Sequence, residues 1–499
     1  MIFVNYYLIV LSTITNIICL HKFLHIFQLR DYNANRYLSY FSFKYWIFEV
    51  ILALIFVEQI LFFKLFLAII INLILLFISP IIYYKICANK KTPIVLTARF
   101  KRIYLISSIL FILPIFFQKI AILSHILMIF APIFANFLNF FDKIKNIQFI
   151  KKAKNKLKNS HAKVIAITGS NGKTTVKNIL FAMLKTKQKV VASPKSYNTP
   201  IGIAKFLNNT DLNVDFVILE YGARHKNDIE SLCKLYGADY GIITQISPQH
   251  LQTFRTIENI AKAKKKLSEF LNTKPCVFNV DNDYILNMQK VKSGKKISVS
   301  TKQKANFYAQ NIRTENFKTT FEICFKNQKI LCKTNLLGEH NVTDILLAFA
   351  LARQLKLPVE NLQKAIENLQ PVPHRLEYIK ANINILDDSY NCSLTSAKQS
   401  IDVLNCSSGK KMVATPGIIE GGKEQYKINF ELGRLLAKID YVVIVGKTNS
   451  LALNDGIKSK NKAKKILFAD SLEHAKQYFN LLSSSDTLLL LNDLPDDYI

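Results

Sequence analysis

The sequence predicts an α-helical membrane domain followed by an α/β body. Three observations carry that prediction. The first 140 or so residues are dense in Ile, Leu and Phe. Residues 164–184 read as a strand, a glycine loop and a helix. Beyond residue 400, short apolar strands alternate with helices. At 499 residues the chain is long enough for two or three domains, each with a core.

Apolar runs at 3–20, 46–63, 65–84, 103–117 and 121–140 are each near the roughly 17–25 residues that cross hydrocarbon as a helix. The fourth is short and carries Pro114. A secretory signal needs a basic start and a small-residue cleavage site, and Met-Ile-Phe-Val-Asn supplies no basic start. Basic residues gather in two loops: Lys22, Arg30, Arg36 and Lys44 in 21–45, and Lys85, Lys90, Lys91, Arg99, Lys101 and Arg102 in 85–102. The opposite turns hold only Lys64 and Lys119. Because cytoplasmic loops carry the excess of Lys and Arg, the expectation is a five-span inner-membrane protein in contact with lipid. Its N-terminus would be outside and its catalytic body in the cytoplasm. Glu49 and Glu58 either snorkel at the ends of the second span or act within it. The lysine-rich stretch 143–162 either lies along the anionic inner leaflet or forms a solvated helical spacer.

The formal charge is +31. Lysine dominates over arginine, is dispersed, and lacks interleaved aromatics on which bases would stack. No nucleic-acid module is recognisable, so a nucleic-acid partner is not expected. The eight cysteines form no CxxC pair. That argues against a structural zinc site and a disulfide framework, and for a reducing compartment around the body.

Val164 to Thr168 reads as a buried strand, Gly169-Ser170-Asn171-Gly172-Lys173-Thr174-Thr175 as a loop, and Val176 to Leu184 as a helix. Glycines let successive backbone N–H groups turn toward phosphate oxygens, and the helix start adds partial positive charge. Lys173 can reach terminal phosphates and the Thr174 hydroxyl can ligate Mg²⁺. Ile167 stands where the longer phosphate loop has its first glycine, so this is the short GxxGK[ST] form.

Further motifs follow in order: Ser196-Tyr-Asn-Thr-Pro-Ile-Gly202, Val217-Ile-Leu-Glu-Tyr-Gly-Ala223, Ile246-Ser-Pro-Gln-His-Leu251, Ala261-Lys-Ala-Lys264, Asn279-Val-Asp281, Gly338-Glu-His-Asn341 and Asp387-Asp-Ser-Tyr-Asn391. With the phosphate loop, this series resembles the Mur ligases over about 161–499, and among them the D-alanyl-D-alanine-adding members. The resemblance implies a P-loop-type Mur ligase central ATP-binding domain at 163–370 and a smaller doubly wound α/β C-terminal domain at 371–499. A helical membrane domain, 1–142, and the linker would precede them. Departures are Gln245 and Asp344, where the family usually has Asn, and Cys392-Ser393-Leu394 in place of Ala-Asn-Pro. The membrane segment stands where these ligases carry a UDP-gripping domain.

The resemblance implies an amide ligase using ATP and Mg²⁺. ATP would phosphorylate a carboxylate, and an amine would then displace phosphate. The expected substrates are a UDP-MurNAc-tripeptide and D-alanyl-D-alanine; the alternative is a different, membrane-linked acceptor. Lys173, Glu220, His250 and Lys264 are the implied catalytic residues. Thr174, Glu220, His250 and a carbamylated Lys264 would hold metal. Against these stand a structural His and a surface Lys among Lys262, Lys265 and Lys266. Nucleotide contacts are implied at Asn279, His340, Asn341, Arg375 and Asp388, and substrate contacts at Asn198, Tyr390 and Asn391. Lys411 to Thr415, Tyr441 to Val445 and Thr487 to Leu491 read as strands between helices near 424–438 and 471–482, a doubly wound pattern. Glu420-Gly-Gly422 and Asn492 to Asp496 fall at strand ends, as ligand loops or as ordinary turns.

Overall fold

The computed structural model describes residues 24, 25, 27, 28, 100, 101, 103–105, 133 and 140–492, without 195, 196, 249, 250, 290–295, 391, 420–423 and 461–464. Residues 1–147 and 148–499 form two compact units.

From residue 140 the described elements run in chain order. Helix α1 (Phe140–Lys158) leads into β1 (Lys163–Thr168), α2 (Lys173–Leu184), β2 (Val190–Ala192), α3 (Pro200–Asn209) and β3 (Phe216–Glu220). Then come α4 (Asp228–Tyr236), β4 (Tyr240–Ile243), α5 (Leu251–Phe254), α6 (Ile257–Leu271), β5 (Cys276–Asn279), α7 (Asp283–Gln289) and β6 (Lys296–Ser300). Strands β7 (Phe307–Glu315), β8 (Lys318–Phe325) and β9 (Gln328–Thr334) precede α8 (Glu339–Gln354) and α9 (Val359–Glu367).

These nine strands form one sheet in the order β2-β3-β1-β4-β5-β6-β7-β8-β9. It is parallel through β7 and antiparallel from β7 to β9. Successive side chains of a strand point to opposite faces, and β1 divides accordingly. Ile165 and Ile167 enter one core with Val176, Leu180 and Phe349. Val164 and Ala166 enter the other with Ile203, Leu219 and Leu267. A parallel sheet covered on both faces needs such unbroken apolar runs, which is why the strand was legible as Val-Ile-Ala-Ile. Helix α8 has fully buried residues from Ile345 to Ala352, so it is a central helix.

The second sheet is built from β10 (Glu377–Lys380), β11 (Asn384–Asp388), β12 (Lys411–Thr415), β13 (Tyr441–Val445), β14 (Lys465–Ala469) and β15 (Thr487–Leu491). Their order is β10-β11-β15-β12-β13-β14, parallel except for β10. Helices α10 (Leu394–Asn405), α11 (Gln425–Leu436) and α12 (Ser450–Lys458) supply one core with Val413 and Leu489. Short α13 (Leu472–Ala475), continued by a 3₁₀ turn to Leu481, covers Met412 and Leu488 on the other face.

The expected multi-pass, inner-membrane placement is corrected. Among the described residues no helix is long and apolar enough to cross a membrane. The longest described helix, α1, carries Lys143, Lys145, Lys151, Lys152, Lys154, Lys156 and Lys158, charges that hydrocarbon does not accept cheaply. The five expected spans lie outside the described residues apart from single positions, as do Glu49 and Glu58. No lipid partner is supported. Most of the stretch 143–162 is helix α1, which packs by one face. Ala153 and Leu157 are buried in the core of the α/β unit, and Lys156 Nζ donates to the carbonyls of Asn208 and Thr210 at 3.2 and 2.7 Å.

Candidate active site

The carboxyl ends of β1, β3, β4 and β5 open on one side of the large sheet, where ligands bind in parallel α/β folds. A cleft of about 1220 Å³ occupies that side, and its other wall comes from the second sheet and α11. Every described residue expected at the site lines it.

The loop 169–172 leads from β1 into α2. Gly172 has φ 80°, a left-handed conformation that disfavours other residues. Its Cα is also crowded, since a Cβ there would lie 2.6 Å from Asp344 Oδ1. Helix α2 begins at Lys173, three residues earlier than the apolar pattern suggests, so Lys173, Thr174 and Thr175 form its first turn. Lys173 Nζ curls back onto the carbonyls of Gly169 and Ser170 at 2.9 and 2.7 Å. Ser170 is pinned by Ser247, whose N–H donates to Ser170 Oγ at 3.1 Å. Asn171 donates to Ser247 Oγ at 3.1 Å and, across the cleft, to Ser393 Oγ at 3.5 Å.

Glu220 ends β3 and is 2 % exposed. Thr174 Oγ1 donates to its Oε2 at 2.8 Å, and Asn198 Nδ2 donates to its Oε1 at 3.1 Å. Lys177, one turn after Lys173, brings its ammonium to 3.7 Å from Oε2 and is nearly fully buried. Lys264, on α6, is also buried and donates to the Gly169 carbonyl at 2.8 Å. Three lysines thus surround one carboxylate, a local excess of positive charge suited to an anion. Burial lowers all three amines from their ordinary value, against the pull of Glu220. It takes Lys264 well below that value, with the neighbouring Lys173 charge acting in the same direction.

On α8, Asn341 Nδ2 donates to the Leu337 carbonyl at 2.8 Å and lies 3.2 Å from His340 Nε2. His340 Nδ1 is buried without a hydrogen bond, and burial lowers the imidazole to about 4. Asn279 lines the cleft, while its Oδ1 accepts from the Asp281 N–H at 3.1 Å. From the second wall, Arg375 lies over the Tyr390 ring, 4.6 Å from its centroid. Asp388 accepts from Ser400 Oγ at 2.6 Å, and burial pushes its carboxyl up to about 6. Asn492 is tied to the Gly417 carbonyl at 2.7 Å, a loop-bracing contact rather than a ligand position.

His250 and Asn391 lie outside the described residues, as do Glu420, Gly421, Gly422 and Asp496. Lys177 escaped the sequence reading, and Asp344 and Ser393 entered it only as departures from the family pattern. Lys177 had a usable signal, standing four positions after Lys173 and so on the same helix face. Asp344, three after Asn341, had the same one. The Asn171–Ser393 contact had none, because 222 residues separate the pair.

The described residues contain no group of three His, Cys, Asp or Glu able to hold a metal. The buried Glu220–Thr174 oxygen pair nevertheless suits a hard cation such as Mg²⁺, which keeps several waters and phosphate oxygens and needs few protein ligands.

Residues 167–352 match the Mur ligase middle domain. The chain is 30% identical over 296 residues to the UDP-N-acetylmuramoyl-tripeptide–D-alanyl-D-alanine ligase of Buchnera aphidicola, covering 58% of this chain and 64% of that one. It therefore spans just under two-thirds of that relative's length. MurF from Acinetobacter baumannii superposes with a TM-score of 0.63 at 25% identity, over 70% of this chain and 77% of that one. MurF ligase from Thermotoga maritima, solved with ADP, gives 0.64 at 24% identity over 70% and 80%. The α/β unit has the fold of these ligases.

Proposed function

We propose that this chain is an ATP-dependent amide ligase that joins D-alanyl-D-alanine to UDP-MurNAc-tripeptide, releasing ADP and phosphate. The observation that carries the reading is the buried Thr174–Glu220 contact at 2.8 Å, set at the mouth of a glycine loop and ringed by Lys173, Lys177 and Lys264. The matched relative's name supplies the substrates.

In this reading the loop N–H groups, the start of α2 and Lys173 bind the β- and γ-phosphates of ATP. Glu220 and Thr174 hold Mg²⁺, which neutralises phosphate charge when bound. A substrate carboxylate oxygen attacks the γ-phosphorus and ADP leaves, giving an acyl phosphate. The amine of D-alanyl-D-alanine then attacks the acyl carbon, phosphate leaves, and the amine gives up a proton. Phosphoryl transfer depends mostly on position and charge, so the lysine ring is the chain's main contribution to the first step. A carbamylated Lys264 would add an anion beside Glu220. Asn279, His340, Asn341, Arg375 and Asp388 hold the nucleoside, and Asn198 and Tyr390 face the acceptors. Both walls of the cleft exclude water from the acyl phosphate.

The test is phosphate release by purified full-length protein given ATP, Mg²⁺, UDP-MurNAc-tripeptide and D-alanyl-D-alanine, with mass analysis of the product. Release that requires both acceptors, with a pentapeptide product, supports the reading. Lys173→Ala should lower kcat on the order of 10²–10³-fold, the usual cost of losing one charge-stabilising donor. Unchanged turnover in that variant overturns the site.

A further inference from the structure

Asp344 lies on α8 three residues beyond Asn341 and four beyond His340, so the three share a helix face, and all line the cleft. It is 8% exposed. Its carboxyl packs against Gly172, as the 2.6 Å approach of Oδ1 to a Cβ there shows. Among the described residues, no hydrogen bond or ion pair reaches that carboxyl.

A buried carboxylate without donors is strongly disfavoured. This one also stands where α2 begins, the place at which phosphates collect. An anion there would repel the ligand that the lysines attract. A carboxylic acid would not, because it offers one O–H donor and a carbonyl acceptor. Resting on the nucleotide-ligase reading above, we propose that Asp344 contacts the nucleotide as a neutral carboxylic acid, its O–H donating to an acceptor atom of the nucleotide beside Gly172.

Burial raises this carboxyl well above its ordinary value, while Arg375 pulls the other way. The other titratable groups lining this wall of the cleft include Lys173 on α2, Glu220 on β3, Lys264 on α6 and His340 on α8. A bound acceptor holds the proton in place. Nucleotide affinity must therefore fall as rising pH removes it. Asparagine has the same shape, donates and accepts, and cannot ionise.

The experiment is calorimetric titration of full-length protein with ADP, from mildly acidic to alkaline pH, for wild type, Asp344→Asn and Asp344→Leu. Wild-type affinity should weaken by up to about tenfold per pH unit once the acid ionises. Asp344→Asn should match wild type at low pH and lack that decline. Asp344→Leu should bind weakly throughout. An infrared difference spectrum of wild type on ADP binding should carry the C=O band of a protonated carboxyl, absent in Asp344→Asn. Parallel pH profiles in wild type and Asp344→Asn, or no such band, overturn the proposal. Failure of folded wild type to bind ADP at any pH overturns the nucleotide reading itself, a separate result.

Discussion

Asp388 shows how one residue's surroundings set its chemistry. It closes β11 in the buried centre of the second sheet's cleft edge, with a single side-chain donor, Ser400 Oγ. Burial outweighs that hydrogen bond and raises the carboxyl from 3.8 to about 6. A carboxyl raised on folding stabilises the protein fully below its unfolded value and loses that contribution as pH climbs through the folded one. Stability should therefore fall by up to about 3 kcal/mol across that window. Asp388→Asn should flatten the dependence, as urea midpoints measured against pH will show. An unchanged slope would mean that Asp388 is better solvated than its burial implies. Lys264 follows the same rule in reverse, since burial favours the neutral amine.

The loop between β1 and α2 is the element on which the site depends. Gly172 meets two demands at once, a φ of 80° and a neighbouring carboxyl at contact distance. Alanine satisfies neither. Gly172→Ala should weaken ADP binding by at least tenfold while leaving the far-UV spectrum intact. Binding as tight as wild type would show that the loop adapts. Helix α10 bears on the same loop from the other wall. Ser393 caps it, accepting from the Ser396 N–H at 3.2 Å, and also receives the Asn171 amide. The cap was readable from a Ser at a helix start. The amide contact was not, since nothing in the local chain specifies which loop will face it.

Across the whole molecule the cleft is shared between two sheets, so ligand binding should hold them together. A ligand that binds only the folded state at a hundredfold excess over Kd stabilises by about 2.7 kcal/mol. ADP should accordingly raise the melting temperature of wild type in one cooperative transition, and Lys173→Ala should show a smaller rise at the same concentration. Equal rises would place the bound nucleotide away from Lys173. Much of this architecture was legible beforehand. Strands β1, β12, β13 and β15 read correctly because parallel strands covered on both faces leave unbroken apolar runs. The antiparallel β7–β9 extension was missed, because the outer half of β7 holds only half-buried and exposed residues and blends into a polar stretch. The inner-membrane placement came from apolar density and the spacing of Lys and Arg between the apolar runs, and among the described residues no helix bears it out.

What the sequence by itself determined were the local devices: the glycine loop, the strand ending in Glu220, the lysine on α6 and the Gly338-Glu-His-Asn341 motif. Each depends on residues a few positions apart, whose geometry backbone sterics and helix periodicity dictate. Only the tertiary structure decided that Lys173, Lys177 and Lys264 surround one carboxylate, that Asp344 rests unpaired on Gly172, and that Asn171 reaches Ser393. Those are contacts across 43 to 222 residues, and the packing of α2 and α8 against the sheet, not any local pattern, brings such groups into one low-dielectric space where their charges govern one another.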